Sequence, residues 1–530
     1  MPFTNATVEI LVGNVESRIV GAAPLERLDR ALNGHLGPRS GNEGDVREAG
    51  RPQVLNPLDA TFLTGSMRNV KRVLRSAGVR FRIRDLRFSG RAIHSWILGG
   101  CALRHYQEAV VAAALKRGTG LIDCGTGAGK TLMAAAIIAR LGRPTLYLVT
   151  TRTLLAQTQR ELQRYLGFEP GVIGDGEWRA EPLTVALVQA LARQEEPLEP
   201  WRDGVLVFDE GHHAAATSYF NLIRRVNARH NYFLSAAPFR EAGDQAVLDA
   251  LTGGSLTGGA YSASYLIDQG YACPVEVRLE HCAIRGKLTE RPFWELYEEF
   301  IVRNEGRNAR IVAIAREHLD RGCSVLILVD RIEHGLRILR AVGDRAAMVH
   351  GDRPRRYLKD QVGRFTSGEL KCLLATAGLF QEGVSIDGIQ VMVQAGALKS
   401  RVKVLQSIGR GMRHAPGKDR CLYHDFFDDD ATGVFRAHSL QRLRVMRGEG
   451  FHVPSTPARA PLHRGEQPVA PAWSHVPGSK RFVRVDGEGR IHAKALCLAR
   501  ESVPDRFCKR CKNPDLCTEG GRITWRDSAG

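Results

Sequence analysis

The stretch best equipped for chemistry is Cys124-Gly125-Thr126-Gly127-Ala128-Gly129-Lys130-Thr131. Its glycines allow the tight turns that bring the backbone N–H groups of Gly125, Thr126, Gly127, Ala128 and Gly129 around phosphate oxygens. Lys130 adds a point charge where β- and γ-phosphates would lie, and Thr131 adds a hydroxyl for Mg²⁺. An apolar run (Gly120-Leu121-Ile122) precedes the loop and helix formers (Leu132 to Ala139) follow it. That reads as strand, loop, helix, with the positive helix end behind the phosphates. The G-x-x-x-x-G-K-[ST] pattern departs at its first position, where Cys124 stands. Cys124 reads as packing beneath the loop, or as a thiol that would make the site sensitive to alkylation.

A second group completes a nucleotide site. Val205-Leu206-Val207-Phe208 runs into Asp209-Glu210-Gly211-His212-His213, which places two carboxylates at the end of a buried strand. A phosphate loop needs one carboxylate to position Mg²⁺, and hydrolysis needs another to orient water. Asp209 suits the first role and Glu210 the second.

The elements that must hold these groups fill 530 residues, too many for one core. Hydrophobic content of 43% and charged content of 25% are those of a soluble globular chain. No apolar run approaches the roughly 20 residues of a membrane span. Met1-Pro2-Phe3-Thr4 carries no secretory pattern, so a cytoplasmic location is expected. The net charge of +18 favours a polyanionic partner.

Residues 1–95 read as a small α+β unit. Strand Thr7 to Val12 and helix Pro24 to Leu36 precede a Gly- and Pro-rich loop, Gly34 to Pro57. A basic helix, Asn69 to Ala77, then meets Val79-Arg80-Phe81-Arg82-Ile83-Arg84, whose alternation predicts a strand with one basic, exposed face. Lys71, Arg72, Arg75, Arg80, Arg82 and Arg84 make this unit either a DNA-contacting accessory or a unit with a solvated charged face. Residues 96–273 and 274–430 alternate short apolar strands with helical stretches, the pattern of buried parallel sheets. Residues 431–480 read as a basic helix (Arg436, Arg442, Arg444, Arg447) and a Pro-rich linker.

Residues 481–530 hold Cys497-x10-Cys508-x2-Cys511-x5-Cys517. Four thiolates could hold Zn²⁺. The C-x-x-C-x5-C portion also resembles the end of the iron–sulfur clasp in AddB-type nucleases, which makes a 4Fe–4S cluster the alternative. Free reduced thiols are the plain reading. The other seven cysteines read as core or loop thiols.

Around the phosphate loop and the Asp-Glu pair, further elements resemble superfamily 2 helicases of the DEAH-like kind. Leu103-Arg104-His105-Tyr106-Gln107 resembles the upstream R-x-Y-Q element, in which Arg104 and Gln107 would contact the nucleotide and Gln107 would read adenine. Thr150-Thr151-Arg152 through Gln157 resembles the motif that holds DNA phosphates. Ser235-Ala236-Ala237-Pro238-Phe239-Arg240 resembles the S-A-T-P-x-R motif that couples ATP to DNA, with Ala237 in place of Thr. Asp330, Arg331 and Glu333 resemble motif IV. Thr376 to Asp387, with Gly383, resembles motif V. Gln406-Ser407-Ile408-Gly409-Arg410-Gly411-Met412-Arg413 matches the Q-x-x-G-R-x-x-R of motif VI.

The resemblance implies an α/β fold of two tandem RecA-like parallel-sheet domains, flanked by the small N-terminal domain and the Cys-rich C-terminal module. It makes Arg410 and Arg413 arginine fingers, Gln406 a γ-phosphate contact, and Gly383 and Asp387 parts of the ATP site. Thr151, Arg152, Gln157, Ser235, Arg331 and Thr376 become DNA contacts. The Asp-Glu-Gly-His-His form and Arg331-Ile332-Glu333-His334-Gly335 resemble the UvsW, RadD and XPB group of 3′-to-5′ DNA helicases and branch-remodelling translocases. Residues 62 to 88 resemble the small N-terminal domain of phage-encoded members. The Asp-Glu-Ala-Asp form of RNA helicases is absent, which leans toward DNA. The implied activity is DNA-dependent hydrolysis of ATP with Mg²⁺, by a monomer acting on single-stranded or branched DNA. Alternatives are a duplex or branch-migrating translocase without net unwinding, the motor of a nuclease or restriction system, and a nucleotide-switched DNA clamp.

Overall fold

Strands built from unbroken apolar residues must be covered on both faces, and here they form two parallel sheets. The computed structural model describes residues 7–34, 52–87, 92–193, 198–236, 242–284, 292–378, 386, 388–399, 401–415, 417–430 and 433–455, with four short strands between 472 and 523.

The N-terminal sheet contains β1 (Thr7–Val12), β2 (Glu16–Val20), β3 (Leu55–Asn56), β4 (Thr61–Leu63) and β5 (Arg80–Asp85), in the order β3-β4-β2-β1-β5. Helices Leu25–Asn33 and Met67–Ser76 cover it. Strand β3 lies inside the stretch expected to be all loop. The alternation in β5 does not produce a buried apolar face, because β5 is the sheet's edge and Ile83 stays 47% exposed. Leu63, Val70 and Leu74 share one core with Phe208, Leu248 and Leu251 of the next unit. Gly65 sits in that seam. A Cβ on it would lie 2.3 Å from the Ala250 carbonyl oxygen and 2.5 Å from the Gly253 nitrogen.

The second sheet has β6 (Thr119–Asp123), β7 (Thr145–Val149), β8 (Gly171–Gly174), β9 (Glu177–Arg179), β10 (Leu183–Leu187), β11 (Val205–Phe208) and β12 (His230–Ser235). Their order is β6-β12-β11-β7-β10-β8-β9, parallel except for β9. The crossovers bring the carboxyl ends of β6, β12, β11 and β7 to one edge, where an open α/β sheet binds ligands. Registers Asp123↔Ser235, Phe208↔Phe233 and Phe208↔Leu148 align the ends. Groups far apart in sequence therefore share one rim.

The third sheet holds β13 (Val275–Ile284), β14 (Val325–Val329), β15 (Ala346–Val349), β16 (Cys372–Thr376), β17 (Val391–Gln394) and β18 (Cys421–Asp430), all parallel, in the order β13-β18-β17-β14-β16-β15. Strands β14 and β17 are buried at every residue. One core joins the second and third sheets through Leu266, Ile408, Met412 and Leu443. Four strands, β19 (Ala472–His475), β20 (Phe482–Val485), β21 (Ile491–His492) and β22 (Arg522–Ile523), form a fourth, antiparallel sheet. Strand β19 falls inside the stretch expected to be linker. Among the described residues no helix is long and apolar enough to cross a membrane.

The helix Val434–Gly448 is not a uniformly basic, solvated face. Arg442 is fully buried and donates to both carboxylate oxygens of Asp425 at 3.0 and 3.1 Å, to the Ala397 carbonyl at 3.2 Å and to the Phe426 carbonyl at 2.6 Å. Arg436 pairs with Asp429 at 2.8 Å, which leaves Arg444 and Arg447 as the exposed cations. Arg307 makes a second buried pair with Asp428 at 2.8 Å. Removing one partner strands a charge in apolar surroundings, so Arg442→Ala should cost about 3–5 kcal/mol of unfolding free energy in urea titrations. Replacing both partners with apolar residues should cost much less. An Arg442→Ala variant as stable as the wild type would contradict this account.

Candidate active site

The phosphate loop joins β6 to the helix Lys130–Leu141, with Gly127 and Gly129 in the left-handed region at φ +87° and +77°. Lys130 Nζ donates to the carbonyls of Cys124 at 3.1 Å and Gly125 at 3.3 Å, which holds the loop closed on itself. The Ala128 carbonyl accepts from the Tyr106 hydroxyl and from Gln107 Nε2, each at 2.8 Å. The Arg104 backbone N–H donates to Gln107 Oε1 at 2.9 Å. Both ends of the buried Gln107 amide are thus engaged with backbone. Gln107 thereby braces the loop.

A neighbouring segment that reads as a Gly- and Ser-rich loop forms the floor. Gly125 N–H donates to the Tyr261 carbonyl at 2.9 Å, and a Cβ on Gly125 would lie 2.8 Å from the Ala263 nitrogen. Leu256 N–H donates to the Leu121 carbonyl at 2.8 Å, and the Ser255 hydroxyl donates to Asp123 at 2.6 Å. Tyr261, Tyr265 and Tyr271 pack around Tyr106 at 5.2 to 5.9 Å, and the Arg104 guanidinium lies 4.3 Å over the Tyr271 ring. Arg104 is therefore stacked at this aromatic cluster.

Cys124 is 1% exposed, and burial pushes its thiol up to about 12. Thiolate, not thiol, attacks alkylating agents. The packing reading of Cys124 therefore fits the structure, and the alkylation reading does not. Iodoacetamide at pH 8 should leave ATP turnover intact, with mass spectrometry finding label on the partly exposed Cys101 before Cys124. Inactivation that tracks labelling of Cys124 would contradict this.

Asp209 and Glu210 follow β11, beside the loop. Burial, then the charge of Glu210, push Asp209 up to about 7 against the pull of Lys130. Burial works against the charge of Glu210 as well. The hydrogen bond and charge of His212, together with the charge of Lys130, outweigh it and hold Glu210 below the usual carboxylate range. Glu210 stands at φ +51°, an uncommon conformation for a side chain of this size. Its carboxylate lies 3.2 Å from His212 Nδ1, which lies 3.5 Å from the Ser235 hydroxyl. His212 is buried and links the end of β11 to the end of β12. A pair of half-buried carboxylates with a lysine charge nearby suits a divalent cation, and Asp209 with the Thr131 hydroxyl would hold Mg²⁺.

The helix that carries Arg410 comes from the third sheet's unit. Helix Arg401–Gly411 carries Gly409 so close to the loop that a Cβ there would lie 2.2 Å from Thr126 Cβ. Arg410 and Arg413 are half-buried beside this contact. Lys418 caps the helix end, with Nζ donating to the carbonyls of Gly411 at 2.6 Å and Arg413 at 2.9 Å. Cys273 N–H donates to the Met412 carbonyl at 2.7 Å. Sequence reasoning did not single out Lys418 or Cys273. The side chain of Gln406, together with Gly383, Asp387 and the motif residues 237–240, lies outside the described residues. So do Cys497, Cys508, Cys511 and Cys517. Among the described residues no three or more metal-binding side chains gather, and the seven described cysteines are free.

Thr151, Arg152, Arg160 and Arg193 line one side of an open groove of ≈ 1350 Å³, and Arg353, Arg356 and Lys359 line the other. The Thr151 hydroxyl caps its helix by accepting from Leu154 N–H at 3.3 Å. Gln157 is engaged within that helix, donating to Glu161 at 2.8 Å. Arg331 is stacked 4.2 Å over Trp294, and Thr376 ends β16 opposite Val329.

A nucleotide loop facing an arginine-bearing helix across two parallel sheets defines a tandem RecA-like, ATP-hydrolysing motor. Residues 100–240 match the family model described as "Type III restriction enzyme, res subunit", and residues 307–415 match "Helicase conserved C-terminal domain". The probable helicase D10 of Escherichia phage T5 is 25% identical over 64% of this chain and 75% of its own length. A putative DNA 3'-5' helicase Rad25 of Halobacterium salinarum is 27% identical over 66% of this chain and 59% of its own. The ATP-dependent DNA helicase uvsW of Enterobacteria phage T4 is 22% identical over 61% and 68%. The DNA-bound Type ISP restriction-modification enzyme LlaBIII shares the fold, with a TM-score of 0.50 and 15% identity over 66% of this chain and 30% of its own. Over these two units the chain is similar to superfamily 2 helicases, and ATP hydrolysis drives its action.

Proposed function

We propose that this chain moves along DNA as an ATP-fuelled motor and remodels or unwinds it in replication, recombination or repair. The contact of Gly409 with the phosphate loop carries this reading, because it brings Arg410 to the nucleotide only when the two RecA-like units meet. Bound Mg²⁺ would neutralise phosphate charge. Lys130 binds the β- and γ-phosphates, and Asp209 and Thr131 orient the cation. Glu210 holds the attacking water and accepts its proton. Arg410 and Arg413 stabilise charge that builds on the γ-phosphoryl, and Gln406 touches the same group. Ser235, 3.5 Å from His212, contacts DNA as part of the motif that couples ATP to DNA. Arg104 and Gln107 act as positioning residues beneath the loop.

The basic groove takes the DNA strand, held through phosphates by Thr151 and Arg152 on one side and Arg353 and Arg356 on the other, so binding weakens steeply with salt. Arg331 and Thr376 of the second unit add further DNA contacts. Exposed Arg80, Arg82 and Arg84 on β5 make the N-terminal sheet a second grip. We assign the cysteines at 497–517 a metal, Zn²⁺ or a 4Fe–4S cluster; a brown protein absorbing near 400 nm as purified removes zinc.

ATP turnover measured with single-stranded, forked, four-way and duplex DNA and with RNA tests this reading. Stimulation by DNA is expected, and its absence with every DNA would end the proposal. Product release from forks, junctions and overhangs separates unwinding from translocation without net strand separation. The match to a restriction subunit model supports a second reading, a nuclease-coupled motor. Mg²⁺-dependent cleavage of plasmid by the purified chain would favour it.

A further inference from the structure

The groove contains one aromatic ring that serves no core. Trp178 is 56% exposed and sits on β9, the edge strand of the second sheet, next to the exposed residues Asp175, Gly176 and Glu177. Trp178 therefore offers a large flat apolar face with one polar N–H to whatever enters the groove. The strand that carries it is held in place. β8 and β9 meet at Asp175-Gly176, with φ of +55° and +90° and with Gly174 opposite Glu177. That is the two-residue type I′ hairpin turn, whose twist matches its strands. Arg152 ties the tip to the helix below through Asp175 at 3.1 Å, and Arg179 is pinned by Glu177 and Glu169, each at 3.0 Å.

Trp178 lines the same groove as Arg152, Arg160, Arg353 and Arg356. Guanidinium groups hold phosphates, whereas an indole face takes the face of a base. In a duplex the base faces are covered by their neighbours, so only an unpaired base offers one. We propose that Trp178 stacks on an unpaired base of the strand in the groove, giving the motor a base contact beside its phosphate contacts. This rests on the reading of the groove as a DNA site.

The experiment uses the full chain and a single-stranded oligonucleotide carrying 2-aminopurine at successive positions. One position should show strongly altered fluorescence on binding, and Trp178→Ala should abolish that change. Trp178→Ala should weaken single-strand binding about five- to hundredfold, the worth of one base–aromatic stack. Trp178→Phe should keep most of the affinity, and binding to blunt duplex should be unchanged. The slope of log affinity against log salt should be the same in Trp178→Ala as in the wild type, because it follows phosphate contacts. Arg353→Ala should lower that slope by about one. Wild-type affinity for the single strand in Trp178→Ala, with DNA-stimulated ATP turnover intact, overturns the stacking role and leaves the groove assignment standing. A wild-type chain that hydrolyses ATP but binds no DNA overturns both.

Discussion

Glu210→Gln is expected to reduce DNA-stimulated ATP turnover about a hundred- to ten-thousandfold, the usual worth of a general base. Gln keeps the size of Glu and can still meet His212, now at 3.2 Å from the carboxylate. It cannot accept the proton of the attacking water. The strained backbone at φ +51° stays as it is, so the loss belongs to chemistry. Phosphate release under saturating ATP and DNA measures it, and a fluorescent ATP analogue checks that nucleotide still binds. Turnover that survives in this variant would remove Glu210 from the role of base.

Arg410→Ala is expected to lower turnover about a thousand- to hundred-thousandfold, the range for loss of an arginine finger. Arg410→Lys should rescue little, since a lysine cannot present a planar fork to phosphoryl oxygens. The helix that carries Arg410 is seated by Gly409 against Thr126 and capped by Lys418, so the side chain is delivered by a packed element. The defect should appear in the maximal rate, with ATP affinity much less affected. Turnover in Arg410→Ala within a few-fold of the wild type would require the charge to come from elsewhere, with Arg413 the next variant to test.

The phosphate loop and Asp209-Glu210 are legible because each closes a short apolar strand with polar residues that have no use in a core. Both parallel sheets follow from the same signal. Legibility fails where backbone does the work. The floor formed by residues 255–263 supports the loop through carbonyls and N–H groups, and its Gly, Ser and Thr look like any connector. Strand β13 alternates in Val275-Glu276-Val277-Arg278-Leu279, a weaker signal than the continuous apolar run of a strand such as β14. The β8–β9 hairpin carries the Asp-Gly signature, but its strands are too short to stand out. Arg442 misleads because a charge on a helix reads as solvated, and its partner lies in the preceding strand. Asp425, Asp428, Asp429 and Asp430, in a strand whose other residues are mostly apolar, are the available clue.

The segment from Tyr261 to Cys273 has a mechanical consequence. One end holds the Gly125 amide and the other holds the Met412 carbonyl. The same short piece of backbone is therefore the cradle of the nucleotide loop, the leash between the two halves and the seat of the arginine helix. A leash of fixed length limits how far the halves can swing apart. It also turns any swing into a tug on the loop, in register with the opening. Inserting slack there would leave every catalytic side chain in place and still put the stroke out of time with the fuel.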